Sequence, residues 1–427
     1  SIGLSSISFD RIARERVLQA LDRTDWSEMK KLGDHYRQLR YELARIPMLT
    51  DVYAYDPSLP MTMASKKIGS KGGDYLSFVR SRERSLSGGR NRGDGMAFLD
   101  QLEPVNETES AILKMATELL LPGLRPHELV ILDELCRFGE ERIGDVEKNG
   151  DSWRPIEARS EVELAETIAR RFPEAYLTTE QMRSALRVLD YSYFTATNRS
   201  RFGGTPLIEL DDEGRRVQLS EAFCAMLSDN RTFRIFFADT IRCGLMVCRE
   251  MFERARVGRR VFDRGFLYEQ KYKLADVMRL LGWSDEMNGQ NVGGYFCHKA
   301  SGTMPIFVKY ANSQYDDRFL GLQEMRYFSK NNRTEDSPEF QWMKYGYGTE
   351  AWQEDHFIPL FVMRKEESDE AKYYYVGHIA AVNDLHTITR KTEGDGGATV
   401  NLAVANLRLA RPLDPELFRH LTGMATS

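Results

Sequence analysis

Cysteine is scarce in this sequence, and its few copies form no pattern. Five occur in 427 residues, at Cys136, Cys224, Cys243, Cys248 and Cys297. An odd, scattered set excludes a disulfide framework, and without any CxxC spacing a thiolate zinc site is not expected. No apolar run approaches the ~18 residues a membrane-spanning helix needs. The first residues lack the charged-then-apolar pattern of a secretion signal. No membrane partner is expected, and a reducing cytoplasm is the expected compartment. Charge of one sign is missing too: 59 basic against 64 acidic residues leave a net −5. Any nucleic-acid surface must therefore come from local clusters. Catalytic signatures are absent as well, with no GxSxG, HExxH, Walker A or HxK(x)nD pattern. His298-Lys299 and His356 stand alone, without a nucleophile or an orienting partner at motif spacing. No catalytic residue and no metal ligand is assigned, and no cofactor is expected in this chain.

What is present suits a folded, soluble chain of two or three domains, with 42% hydrophobic, 29% charged and 11% aromatic residues. Apolar residues at helical spacing predict helices over 8–21, 26–45, 49–55, 107–121, 127–138, 161–172, 179–189 and 233–255. Between the last two, PLIELDDEGRRVQL at 206–219 reads as strand, turn, strand, with helices at 179–189 and 221–228 around it. That order suits a winged-helix-like part. KKIGSKGG, within 65–73, lacks Walker spacing and is expected to be a surface loop, and the Gly, Arg and Ser-rich 81–95 is expected to be a mobile loop. After residue 300 the period changes, with strands expected at 305–310, 358–364, 373–382 and 400–410, then a closing helix at 414–421. The fold class is α+β: a helical N-terminal region, then a β-rich C-terminal domain built as one sheet or a small barrel. The expected domains are a helical hairpin at 1–60, a helical coupler region at 61–264 and the β-rich domain at 265–427.

Two stretches suggest chemistry. RARVGRRVFDR at 254–264 is the densest cationic cluster. Arg256, Arg259 and Arg260 could contact phosphate or could belong to a solvated linker, and both readings stay open. The opening helix of the C-terminal part, expected over 268–283, supports the domain. Downstream, the run to 334 interleaves Tyr295, Phe307, Tyr310, Tyr315, Phe319, Tyr327 and Phe328 with Lys299, Lys309, Arg318, Arg326, Lys330 and Arg333. Aromatic faces stack on bases and cations take phosphates. Asp317, Ser329, Asn331 and Asn332 supply short polar groups for a base edge. The expected base pocket is Tyr295, Tyr315, Asp317, Phe319, Tyr327, Ser329, Asn331 and Asn332. The expected phosphate contacts are Arg256, Arg259, Arg260, Lys299, Lys309, Arg318, Arg326 and Arg333. Phe307 and Phe319 are more simply sheet core. Asp316, Asp317 and Glu324 are the only carboxylates there that suggest a metal-dependent nuclease.

At these residues the sequence resembles a known family. YEQKYKLADVMRLLGW, MPIFVKY, YDDRFLGLQEMRYFSKNNRT, DHFIPLFVMRKEE with AKYYYVGHI, and VANLRLARPLDPELFRHL look like the C-terminal domain, of formerly unknown function, of bacterial superfamily-two DEAD/DEAH-box helicases. These blocks span 266–422, and ISFDRIARERVLQAL with YRQLRYELARIPMLTDVY is similar to the helical segment after the motor. The resemblance implies a fragment of a longer protein, in keeping with a first residue that is Ser, not Met. In the family a phospholipase-D-like nuclease often precedes the motor, and members include type IV restriction enzymes that cut DNA with methylated or hydroxymethylated cytosine. Their C-terminal domain is taken as the target reader, related to the PUA/SRA-like base-flipping fold. The family pattern has Trp where Tyr327 stands and Gln where Lys330 stands, and keeps Ser329; the departures bear on base preference. The implied function is a DNA-recognition and coupling fragment with double-stranded, modified DNA as partner, alongside the parent's motor and nuclease. ATP and Mg are expected only for that motor. A protein-interaction module and a metal-dependent nuclease are the alternatives.

Overall fold

A computed structural model describes residues 25–63, 73–87, 98–145, 153–211, 215–289, 294–310, 317–344, 350–391 and 397–423. The chain divides into two compact units, Ser1–Leu177 with Ala185–Glu253, and Thr178–Ser184 with Arg254–Ser427. Helix and sheet are both present, and the C-terminal sheet curls into a half-barrel. Among the described residues no helix is long and apolar enough to cross a membrane.

The first unit is mainly helical. Its helices start where short polar side chains satisfy the free N–H groups of the first turn. Asn106 caps Glu107–Met115 and Glu109 returns the bond to the Asn106 N–H; Ser160 and Glu163 do the same for Glu161–Arg171. The run expected as one helix over 107–121 changes at Ala116–Leu120 to a π turn. Gly123 and Gly244 allow that turn to meet the Arg231–Val257 helix: a Cβ at Gly123 would lie 2.7 Å from the Gly244 carbonyl oxygen, and one at Gly244 2.8 Å from the Leu120 oxygen. β1 (Arg159–Ser160), β2 (Ile208–Leu210) and β3 (Arg216–Leu219) form a sheet in the order β1-β3-β2. The helices His127–Cys136, Glu161–Arg171 and Thr179–Leu189 precede the β2–β3 hairpin in sequence.

The arginine-rich stretch beginning at 81 differs from its expectation, because residues to 87 continue the Tyr75–Ser87 helix. The reason is Glu83, whose side chain is fully buried and accepts from the Tyr36 hydroxyl at 2.6 Å and the Arg40 guanidinium at 2.8 Å. The helix 8–21, most of the 65–73 loop and the 88–95 part of the second loop lie outside the described residues.

The second unit opens with β4 (Phe262–Asp263) paired to β5 (Phe266–Leu267). The main sheet comprises β6 (Lys271–Lys273), β7 (Ile306–Tyr310), β8 (Arg318–Gly321), β9 (Glu324–Phe328), β10 (Pro359–Arg364), β11 (Lys372–Lys391) and β12 (Thr399–Leu409). Its order is β7-β10-β11-β12-β9-β8, with β6 also on β11, and only β7 and β10 run parallel. One face carries Ile306, Val308, Leu360, Val362, Val376 and Leu407, covered by Leu417, Phe418 and Leu421 of the Pro415–Thr422 helix. Burying each such side chain contributes about 1.5–3 kcal/mol. The helix expected over 268–283 is shorter, Leu274–Leu280, because Lys271–Lys273 pair with β11 while Tyr272 packs on Phe266 and Phe361. Residues 178–184 belong to this unit: the Gln181 amide donates to the Leu280 carbonyl at 2.7 Å and the Ser184 hydroxyl to the Arg279 carbonyl at 3.1 Å.

Candidate nucleic-acid interface

The polar and aromatic run that stood out in the sequence folds as the β8–β9 hairpin and the turn after it. β9 alternates Met325 and Tyr327 inward with Arg326 and Phe328 less buried, the period expected of a strand with one covered face. Asp317 ties the hairpin together by accepting the Phe328 N–H at 2.8 Å. Ser329 is fully buried and fastens the end of β9 to β12. Its Oγ accepts from the Ala403 N–H at 2.9 Å and donates to the Lys330 carbonyl at 2.9 Å, while its own N–H reaches the Ala403 carbonyl. Beyond this knot the chain turns outward through Asn332, at φ +58°.

The turn carries an open polar edge. Asn331 and Asn332 are exposed, and their amides make no hydrogen bond among the described residues. Beside them the Lys330 ammonium donates to the Tyr295 carbonyl at 2.9 Å and lies 4.7 Å from the Tyr295 ring centre. Partial burial, and then the charge of Arg333, push the Lys330 pKa down from its ordinary value. Arg333 meets Glu339 at 2.9 Å, and Glu339 also accepts from the Tyr295 hydroxyl at 2.8 Å. Burial, followed by that bond to Glu339, raises the Tyr295 phenol well above its usual range. The edge therefore offers two free amides beside two cations, and one cation is half exposed.

The other expected residues fall in two groups. Tyr295, Phe319 and Tyr327 are core side chains, each under 5% exposed; Phe319 stacks on Tyr310 with ring centres 5.6 Å apart. Their faces are covered by protein, because β8 and β9 lie over the Pro415–Thr422 helix and the Pro338–Lys344 helix. Tyr315 and Asp316 lie outside the described residues. Of the expected phosphate contacts, Arg256, Arg259, Lys299, Lys309 and Arg318 are exposed and form no ion pair among the described residues. Arg260 pairs with Glu269 at 3.4 Å, and Arg326 with Asp384 at 3.3 Å. Among the described residues no three His, Cys, Asp or Glu side chains converge as metal ligands.

The isolated histidines are held in place by neighbours. His356 is buried with Trp342 and Trp352 rings at 4.4 and 5.3 Å, its nitrogens facing the carbonyls of the same two residues. His298 stacks on Trp283 at 4.7 Å. A different histidine was not legible. His378 Nδ1 donates to Asp263 Oδ2 at 2.5 Å, and the Tyr375 hydroxyl donates to the same oxygen. The partners are 115 positions apart, so no local spacing signals them.

Residues 266–421 match the family described as a domain of unknown function (DUF3427), and such a domain is present in the C-terminal region. Two overlapping stretches, 93–162 and 156–251, match a second family, a domain of unknown function (DUF8090). No curated protein compared with the chain matches it.

Proposed function

We propose that this chain is the DNA-recognition and coupling part of an ATP-dependent helicase or type IV restriction protein. In this reading its C-terminal domain reads a modified, methylated cytosine in duplex DNA. The carrying observation is the polar edge after β9: two open amides, Asn331 and Asn332, stand beside Lys330 and Arg333 on a turn fixed by buried Ser329. An amide pairs with a base edge and a guanidinium with phosphate. The DUF3427 match and the family blocks quoted above support the same reading, and the curled half-barrel is compatible with an SRA-like fold. Because Tyr295, Phe319 and Tyr327 are covered, stacking on the flipped base falls to other groups, and the edge contacts carry discrimination.

The helical region would relay base occupancy to the motor. Its order of helix, strand, three helices and hairpin, with β1 paired to β3, supports the reading of a winged-helix-like part. The first turns of the Thr179–Leu189 helix belong to the second unit, where they bond to the Arg279 and Leu280 carbonyls, which favours coupling over groove reading. Binding of the chain to otherwise identical duplexes with and without 5-methylcytosine tests the proposal. Discrimination that survives both Asn331→Ala and Asn332→Ala would remove the edge from the reading.

A further inference from the structure

The turn after β9 is held from more than one side, and one of its two cations is spent on holding it. At its start the Ser329 N–H donates to the Ala403 carbonyl, and Ser329 Oγ accepts the Ala403 N–H. At its end the Arg333 N–H donates to the Asn401 carbonyl at 3.2 Å. These bonds all lead to β12. A further one leads elsewhere: the Lys330 ammonium crosses to the segment before β7. There it donates to the Tyr295 carbonyl at 2.9 Å and lies 4.7 Å from the centre of the Tyr295 ring.

The receiving segment is itself fixed. Phe307 of β7 donates its N–H to the Gly294 carbonyl at 2.7 Å, and Tyr295 forms a bridge with Ile306. The buried Tyr295 ring meets Tyr327 and Phe340 edge-on, and its hydroxyl donates to Glu339. Gly294 stands at φ +83°, and a Cβ there would lie 3.3 Å from Lys330 Cε, so the glycine leaves the lysine stem its path. An ammonium that ends on a backbone carbonyl beside an aromatic ring is committed to the body of the domain. Between the Lys330 side-chain anchor and the Arg333 N–H lie only Asn331 and Asn332, both exposed, with Asn332 at φ +58°. A two-residue span tied at both ends has few conformations, so its amides are preorganised before any ligand arrives.

We propose that Lys330 is a positioning residue of the reading edge: its ammonium, clamped on the Tyr295 carbonyl, fixes where Asn331 and Asn332 present their amides to a base. It takes no phosphate of the duplex itself. This role rests on the proposed reading of methylated cytosine by the same edge, and makes Lys330 a determinant of its specificity. Arg333 differs, because its N–H holds the turn while its side chain stays 45% exposed. A support loosened by about 1 Å is enough to lose selectivity in a site made of short polar contacts.

The test pairs two measurements on the 427-residue chain. The first needs no DNA. Lys330→Met keeps the stem and removes the donor, and hydrogen exchange over 329–333 should quicken by about fivefold. The second is fluorescence anisotropy with methylated and unmethylated duplexes over a range of salt concentrations. Lys330→Met should weaken the methylated duplex by about fivefold to tenfold. The unmethylated duplex and the slope of log affinity against log salt should stay as in the wild type. Lys330→Arg, which keeps a donor on a long stem, should hold the methylated-to-unmethylated ratio near its wild-type value. A phosphate contact gives the opposite split, weakening both duplexes alike and lowering the slope by about 1. That split in Lys330→Met overturns the assignment, and so does exchange that fails to quicken. A ratio lost equally in both variants overturns the part given to the donor. A wild-type chain that binds the two duplexes equally removes the proposed function and this role with it; quickened exchange in that case places the failure in the reading and not in the clamp.

Discussion

Two carboxylates, Asp239 buried in one unit and Glu367 partly buried in the other, have opposite electrostatic fates. Asp239, in the helical unit, accepts from the Leu49 and Thr50 N–H groups and the Thr50 hydroxyl, all neutral donors. Burial wins, and its pKa is raised to about 6. Glu367, in the sheet unit, meets His420 at 2.6 Å and Lys271 at 3.1 Å. Burial pushes this group up too, but His420 and Lys271 overcome it and lower the pKa to about 2. Asp263 follows Glu367, held down chiefly by His378 against its own burial. The difference teaches that burial sets the size of the stake and the partner's charge sets its sign. The helical unit uses neutral donors at this site, whereas the sheet unit keeps its carboxylates ionised beside cations, the arrangement that leaves charge available at a surface.

The comparison can be broken at its strongest point first. Arg125 and Glu128 form an ion pair within the helical unit, with side chains 5% and 1% exposed, so charge pairing is available there as well. Arg125→Met takes the guanidinium away from the buried Glu128 carboxylate, and urea unfolding should show a loss of about 3–5 kcal/mol. A smaller loss would mean that water reaches Glu128. Next comes the sign for Asp239. The unfolded carboxyl titrates near its ordinary value of about 4. Between about pH 4 and pH 6 the folded protein therefore holds a proton that the unfolded chain has released, and stability falls as pH rises through that window. Asp239→Asn should flatten this segment, worth up to about 3 kcal/mol, although its amide N–H₂ then faces the Leu49 N–H. An unaltered slope would assign the titration to another group.

Ser329→Ala removes the acceptor of the buried Ala403 N–H and should cost about 1–3 kcal/mol in chemical denaturation. Glu367 runs opposite to Asp239: its contribution is present above about pH 4.5 and lost as pH falls toward about 2, where the folded group protonates. Glu367→Gln should remove that acid limb, about 1 kcal/mol once partial exposure is discounted. The smallest stability effect belongs to Asn331→Ala, within about 0.5 kcal/mol, since the side chain is exposed and makes no described bond. Its measurable consequence should appear only in discrimination between methylated and unmethylated duplexes.

Much of the helical unit was legible because its signals are local. Apolar residues at helical spacing and the Asn106–Glu109 cap mark the Glu107–Met115 helix without reference to any distant residue. The sheet unit was legible only where strands are apolar on both faces, as in β7 and β10. β11 runs well past the 382 expected for it, because its polar second half, including Asn383, His386 and Thr389, is held by backbone pairing to β12. The β8–β9 hairpin carries its apolar residues one at a time between charges, a pattern that also suits a loop. For the candidate site, the polar groups at Asn331 and Asn332 were visible in sequence. The burial of Tyr327 and Phe319 was not, since an aromatic beside a basic residue looks the same whether its face is open or covered. His378 and Asp263 meet only because β11 returns alongside the segment that follows β4 and β5.

That return has a consequence for how the domain is made. β11 pairs with β6, more than ninety positions before it, with β10 just before it, and with β12 after it; β12 in turn holds β9 and β8. Four of the six ladders described in this sheet therefore wait on β11 or β12, strands synthesised late, and the loops that must close are long. Topologies dominated by such distant pairing fold slowly. On the ribosome β6 through β10 would emerge with their apolar faces uncovered, and the domain would form in one late step once β12 and the Pro415–Thr422 helix were available.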